Sequence, residues 1–196
     1  MSKALIIVDV QNDFISGSLA VPNGGVVARR IYEHVVLAQR DGRELYNKVF
    51  TTQDWHIEPG SHWAQRGENP DFKETWPVHC RAGEWGSELH PAITAIEGYV
   101  DRKFYKGLYS AAYSGTESTQ PLRMDTIQDV YVCGLALDFC VFETAFAIAA
   151  RTKFRPHRLH NVHILTDLSA AINEDTVLQQ AIDNPHIKYV KSHEVL

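Results

Sequence analysis

Ala4-Leu5-Ile6-Ile7-Val8 is an unbroken apolar run, rich in β-branched side chains and ended abruptly by Asp9. A strand with one wet face alternates apolar and polar residues, whereas a continuous run marks a strand covered on both faces, as in a parallel sheet. Parallel neighbours cannot be joined by a tight turn, so the chain between them must cross over, usually as a helix. The sequence supplies such crossovers. Residues 26–40 place Val27, Ile31, Val35 and Ala38 near one helical face, and Asp41-Gly42 stops them. Strand character returns over 44–52, 98–106 and 126–133, and 141–150 reads as a helix that is apolar almost all round and therefore buried. A short helix is expected over 91–96, a strand over 161–166 that Asp167 ends, a helix over 176–183 and a last strand over 187–190.

Strands alternating with helices predict an α/β fold, a doubly wound and mainly parallel sheet with helices on both faces. The chain has 196 residues and no internal repeat or low-complexity segment, so it is read as one domain, 1–196. A formal charge of -5 argues against nucleic acid or an anionic membrane as partner. No apolar run approaches the length of a bilayer span, and no signal-like segment precedes the first strand. The 3 cysteines are sparse and odd in number, which suits a reducing cytoplasm better than a disulfide framework.

In a parallel sheet ligands sit outside the carboxyl ends of the strands. That rule selects Asp9, Asp54 with His56, Lys106 and Cys140. Residues 53–86 have no sustained period and are rich in Gly, Pro, Trp and His, and a loop of that length in a compact domain is usually functional. Asp54 and His56, two apart at a strand end, project to the same side. With His62 and His79 folded back they would make an Asp/His donor set suited to a borderline divalent metal. Coincidence is the competing reading, since the chain has 10 histidines. His90, His157, His160, His163, His186 and His193 lack a partner at useful spacing and read as surface or core residues.

Cys140 opens a buried helix, with Asp138 as the expected N-cap. A thiol in a first helical turn faces free backbone N–H groups and the positive end of the dipole, which favours the thiolate and could bind an oxyanion. The plainer reading is a small buried residue under the sheet. Asp9 would be costly at a strand end unless paired; it reads equally as a general base or as a turn-forming residue. Lys106 could pair with Asp9, but Lys103 competes for that role. Cys133 reads as core and Cys80 stays undecided. Arg151, Lys153, Arg155 and Arg158 read as a solvated helix end.

Taken together, Ile7-Val8-Asp9-Val10-Gln11-Asn12-Asp13-Phe14, Thr52-Gln53-Asp54-Trp55-His56, Ser61-His62, Thr75-Trp76-Pro77-Val78-His79-Cys80, Lys103-Phe104-Tyr105-Lys106-Gly107, Tyr113-Ser114-Gly115 and Gly134-Leu135-Ala136-Leu137-Asp138-Phe139-Cys140-Val141 resemble the nicotinamidases (pyrazinamidases) of the isochorismatase-like cysteine hydrolases. The resemblance runs nearly end to end. It implies the isochorismatase-like hydrolase fold and conversion of nicotinamide to nicotinate and ammonia, a step of NAD salvage, with pyrazinamide as a further substrate. It implies a catalytic triad of Asp9, Lys106 and Cys140, and an oxyanion hole from the N–H groups of Ala136 and Cys140 after a cis peptide. It also implies one divalent metal, Zn²⁺ with Fe²⁺ or Mn²⁺ as alternatives, on Asp54, His56, His62 and His79. Phe14, Trp76 and Tyr113 match positions that line the substrate pocket. The partner implied is the small molecule alone, with homo-oligomerisation left open. Residues 152–160 are longer and more basic than the family's usual turn. The competing functional readings are another small-amide cysteine hydrolase, a metal-water hydrolase with a structural Cys140, and a non-catalytic binding module.

Overall fold

The computed structural model describes residues 2–40, 44–58, 62–65, 67–107, 127–154 and 161–196. Its strands are β1 (Lys3–Val8), β2 (Lys48–Asp54), β3 (Arg102–Lys106), β4 (Asp129–Leu135), β5 (Asn161–Ala170) and β6 (Ile187–Val190). They form a 6-stranded sheet in the order β3-β2-β1-β4-β5-β6. Every pairing is parallel. The chain therefore walks from β1 to one edge, returns, and walks from β4 to the other. The reversal between β1 and β4 opens a crevice at their carboxyl ends.

The helices are α1 (Asn12–Ile15), α2 (Gly24–Gln39), α3 (Pro91–Thr94), α4 (Phe142–Phe154) and α5 (Glu174–Asp183). The apolar run of β1 divides between two cores because successive side chains of a strand point to opposite faces. Leu5 and Ile7 pack with Val27, Ile31 and Val35 of α2. Ala4, Ile6 and Val8 pack with Ala145 and Ile148 of α4 on the other face. Leu5 to Val8 are each 0% exposed, and burying such aliphatic side chains stabilises by about 1.5–3 kcal/mol each. The expected doubly wound sheet is the observed one. Among the described residues, no helix is long and apolar enough to cross a membrane.

Several boundaries differ from expectation. β2 and β3 start later than 44 and 98, and β4 runs two residues past 133. The largest difference is β5, which continues through Asp167 to Ala170. Its register against β4 jumps from Val132↔Ile164 to Gly134↔Ser169, so the extra residues bulge out of the ladder. Asp167 is tolerated there because its carboxylate accepts from Ser192 N (2.8 Å) and Ser192 Oγ (2.7 Å). α5 begins at Glu174 rather than 176, capped by the Asn173 side chain, which accepts from Asp175 N and Thr176 N. The basic connection over 152–160 lies outside the described residues from 155 onward.

One glycine fixes how closely β1 and β4 end together. Gly134 has φ +124°, and a Cβ there would stand 2.1 Å from Val8 O. Any side chain would push apart the two strands whose ends carry Asp9 and Cys140.

Candidate active site

Asp9 is the first residue beyond β1 and has φ 49°, a left-handed conformation that a non-glycine residue holds only when its surroundings fix it. Thr52 fixes it. Asp9 N donates to Thr52 O (3.2 Å) and Thr52 Oγ1 (3.2 Å), and the Thr52 hydroxyl donates to Asp9 Oδ1 at 2.6 Å. The second carboxylate oxygen, Oδ2, lies 2.6 Å from Lys106 Nζ. Lys106 ends β3 directly beside Asp54, its partner in the β2–β3 register. Its ammonium reaches Asp9 across the sheet end, stands 3.5 Å from Asp54 Oδ1 and donates to Cys140 Sγ at 3.4 Å. Lys106 is 0% exposed, so it is no rim residue. Lys103, its competitor on the same strand, pairs instead with Glu97 at the surface.

One buried cation thus serves two carboxylates and a thiol, and their proton affinities separate. Burial pushes the Asp9 carboxyl up from its ordinary range, and Lys106 only partly opposes it. Burial acts the same way on Asp54, but there Lys106 and hydrogen bonds from His56 and His79 win and hold it well below that range. Burial alone would lower Lys106; Asp54 and Asp9 outweigh it and hold the ammonium well above its usual value. The Cys140 thiol is pushed well up by burial, with Lys106 opposing. Two neighbouring acids in environments that part their pKa values suit different tasks, one exchanging a proton and the other staying ionised.

Cys140 does not sit in an ordinary first helical turn. A wide turn, Leu137–Val141, joins β4 to α4, in which Val141 N and Phe139 N both donate to Ala136 O at 3.1 Å. Such wide turns recur at functional sites. The Leu135-Ala136 peptide is cis, as the resemblance implies. Asp138 is not the N-cap expected: its carboxylate turns away and accepts from Ile172 N (3.0 Å) and Asn173 N (2.8 Å), at the start of α5.

On the far side of Lys106, Asp54, His56 and His79 bring donor atoms within 4.8 Å of one another, all three residues buried. His56 Nε2 lies 3.0 Å and His79 Nε2 3.3 Å from the same oxygen, Asp54 Oδ2. His79 Nδ1–H donates to Pro77 O at 2.6 Å, so in the neutral ring Nε2 carries a lone pair. Nε2 can therefore donate to Asp54 only while the ring is protonated; in the neutral ring acceptor faces acceptor, an arrangement a shared cation would resolve. The backbone partner on Nδ1 is also the kind of contact that orients a metal-ligating histidine. The donor set fits a divalent metal. His62 is not within this group; its ring centroid lies 6.3 Å from that of His56, and burial, then His56, lowers its pKa.

Above these groups lies a largely apolar pocket. His62, His79, Asp54 and Cys140 form its polar lining, and Phe14, Leu19, Trp76, Phe139 and Ile172 are among its apolar walls. Trp76 meets Phe139 edge-on at 5.0 Å and Phe14 packs 5.7 Å from His79. Tyr113, expected as a further wall, lies outside the described residues.

Two positions went unread in the sequence beyond their presence in the shared motif. Thr52 holds the Asp9 carboxylate. Gln11, 0% exposed, takes the place of a backbone rung where β1 has already left the sheet. Its Oε1 accepts from Asp54 N (2.7 Å) and its Nε2 donates to Asp54 O and Ser87 O (2.8 Å each). A primary amide reproduces the donor and acceptor of a peptide group, but nothing in local patterning distinguishes such a glutamine from a solvated one.

The isochorismatase domain signature matches residues 3–187. The chain belongs to the isochorismatase family. Within it, the nicotinamidase/pyrazinamidase of Mycobacterium tuberculosis is 37% identical over 185 residues, 90% of each chain. Among solved family structures, the yeast nicotinamidase bound to the inhibitor nicotinaldehyde superposes with a TM-score of 0.77 at 26% identity, covering 96% of this chain and 99% of that one. The pyrazinamidase of Pyrococcus horikoshii in complex with zinc gives 0.69 at 26% identity, over 97% and 99%.

Proposed function

We propose that this protein is a nicotinamidase, hydrolysing nicotinamide to nicotinate and ammonia through a thioester on Cys140, and that it accepts pyrazinamide by the same route. The observation that carries the reading is the buried Lys106 ammonium, 2.6 Å from Asp9 Oδ2 and 3.4 Å from the Sγ of Cys140, which lines a pocket with Phe14, Trp76 and Phe139. The curated relatives named nicotinamidase support the same reaction.

Asp9 removes the Cys140 proton as the sulfur attacks the carboxamide carbon. Its raised pKa brings it closer to that of the thiol than an ordinary carboxylate would be. The N–H groups of Ala136 and Cys140 receive the developing oxyanion; one such donor is typically worth about 3–4 kcal/mol of barrier. Protonated Asp9 returns its proton to the departing ammonia. Asp9 then deprotonates a water that cleaves the thioester, releasing nicotinate and the thiol. Between these proton transfers Lys106 pairs with Asp9 and returns it to its ionised form.

Asp54, His56 and His79, with His62 drawn in, would hold one divalent metal, for which the donor set favours Zn²⁺ and allows Fe²⁺ or Mn²⁺. When bound, the metal offers a Lewis-acid contact for the pyridine nitrogen that positions the ring. Phe14, Trp76 and Tyr113 would flank that ring. A cytoplasmic setting in NAD salvage fits cysteines held as free thiols. The reading is tested by ammonia release from nicotinamide with and without chelator, and by trapping a thioester in an acid-quenched reaction. A metal-water hydrolase forms no thioester, and a binding module releases no ammonia.

A further inference from the structure

The turn that presents Cys140 is tied to a distant piece of chain by a single side chain. Asp138, 3% exposed and two residues before the thiol, accepts from Ile172 N at 3.0 Å and from Asn173 N at 2.8 Å. Gln180 Nε2 of α5 closes the link from the other side by donating to Asp138 O at 2.9 Å. Burying a carboxylate is costly unless its lone pairs are met. Here two backbone N–H groups meet them, at the N-terminus of a ten-residue helix whose dipole favours the negative charge. The segment so anchored leaves β5 with Ala171 packed in the core and Ile172 turned to the substrate pocket, 44% exposed. The apolar wall at Ile172 and the nucleophile are therefore held in one frame, although 32 positions separate them in the sequence.

We propose that Ile172 is a specificity-determining residue, setting which ring-substituted pyridine carboxamides enter, and that Asp138 is a positioning residue that holds this wall in register with Cys140. The inference rests on the nicotinamidase reading for its substrate class. An aliphatic side chain at the pocket edge adds contact to a flat unsubstituted ring and collides with a ring bearing a further group. Shape differences of one methyl in such a pocket are worth about 10-fold or more in discrimination. A wall on a loop would ordinarily drift relative to the thiol; two hydrogen bonds from one carboxylate oppose that drift.

The test uses nicotinamide and the four ring-methylated nicotinamides as a panel, with kcat and KM measured for the full-length metal-loaded protein. Ile172→Ala is expected to raise kcat/KM for at least one methyl isomer, relative to nicotinamide, by about 10-fold. Asp138→Asn keeps the shape but turns an NH₂ toward one of the two N–H donors. It is expected to relax discrimination for the same isomer, mainly through KM. A uniform loss on all five substrates after Asp138→Asn would mark it as merely structural, and an unchanged panel in Ile172→Ala would overturn the wall. Ile172 is half-exposed, so its variant is expected to fold even if Asp138→Asn does not. Calorimetric binding of the same panel separates the two proposals. A protein that binds nicotinamide over its methyl isomers without releasing ammonia refutes the reaction and supports the wall, whereas binding that ignores the methyl group refutes the wall alone.

Discussion

Lys106 Nζ stands 2.6 Å from Asp9 Oδ2, with both side chains sealed from solvent. The ammonium also lies 3.5 Å from Asp54, so it is the only positive side chain shown between two buried carboxylates among the described residues. Truncating such a cation leaves uncompensated charge in a low-dielectric interior, a loss of about 3–5 kcal/mol. Lys106→Met is accordingly expected to lower stability by that amount in urea titration and to abolish turnover. Unchanged unfolding would mean that the two carboxylates do not depend on this partner.

Cys140→Ala removes the sulfur and one contact of Lys106, which keeps its pairing with Asp9 and Asp54. Turnover is expected to fall by at least about 10³-fold, with metal content unchanged by elemental analysis. Activity that survived at near wild-type level would leave the metal as the source of the nucleophile.

Gly134→Ala addresses the fold beneath the site. The added methyl would lie 2.1 Å from Val8 O at a backbone φ of +124°, so β1 and β4 must separate. The variant is expected to lose more than about 3 kcal/mol or to fail to fold. A thermal melt within a degree or two of wild type would disprove the close approach.

Gln11→Met keeps volume but deletes the amide that stands in for a backbone rung at Asp54. Unmet buried polar groups cost about 1–3 kcal/mol, and loosening a ligand's support typically weakens metal affinity about 10–100-fold. Chelator competition on the folded variant reads the second effect separately from stability. Equal metal affinity in variant and wild type would confine Gln11 to a packing role.

Much of this site was legible because parallel sheets put ligands at strand ends. The apolar run ending at Asp9 predicted the sheet, and the sheet then singled out Asp54, Lys106 and Cys140. What stayed hidden depended on partners remote in the chain. Asp138 looked like a cap for its own helix because its acceptors' true donors, Ile172 and Asn173, are 34 and 35 positions away. Asp167 looked like a strand terminator because Ser192, which satisfies it, belongs to the last turn of the chain. The choice between Lys103 and Lys106 came from the family resemblance alone, whereas its physical basis, burial against exposure, is visible only in the folded sheet.

Thr52 offers the sharpest check on Asp9 as the proton acceptor. Asp9 must be ionised to take the thiol proton, so kcat/KM is expected to fall as pH drops through its folded-state pKa. Burial has raised that pKa, and the acid limb is therefore expected above the ordinary carboxylate range. The Thr52 hydroxyl, donating at 2.6 Å, stabilises the ionised form and opposes the rise. Thr52→Val removes the donor at nearly constant volume, so the pKa must climb further and the acid limb must move to higher pH, while activity well above the limb changes less. The profile is measured with nicotinamide under metal-saturating conditions in both proteins. A limb that stays in place, or moves to lower pH, would show that a group other than Asp9 accepts the proton.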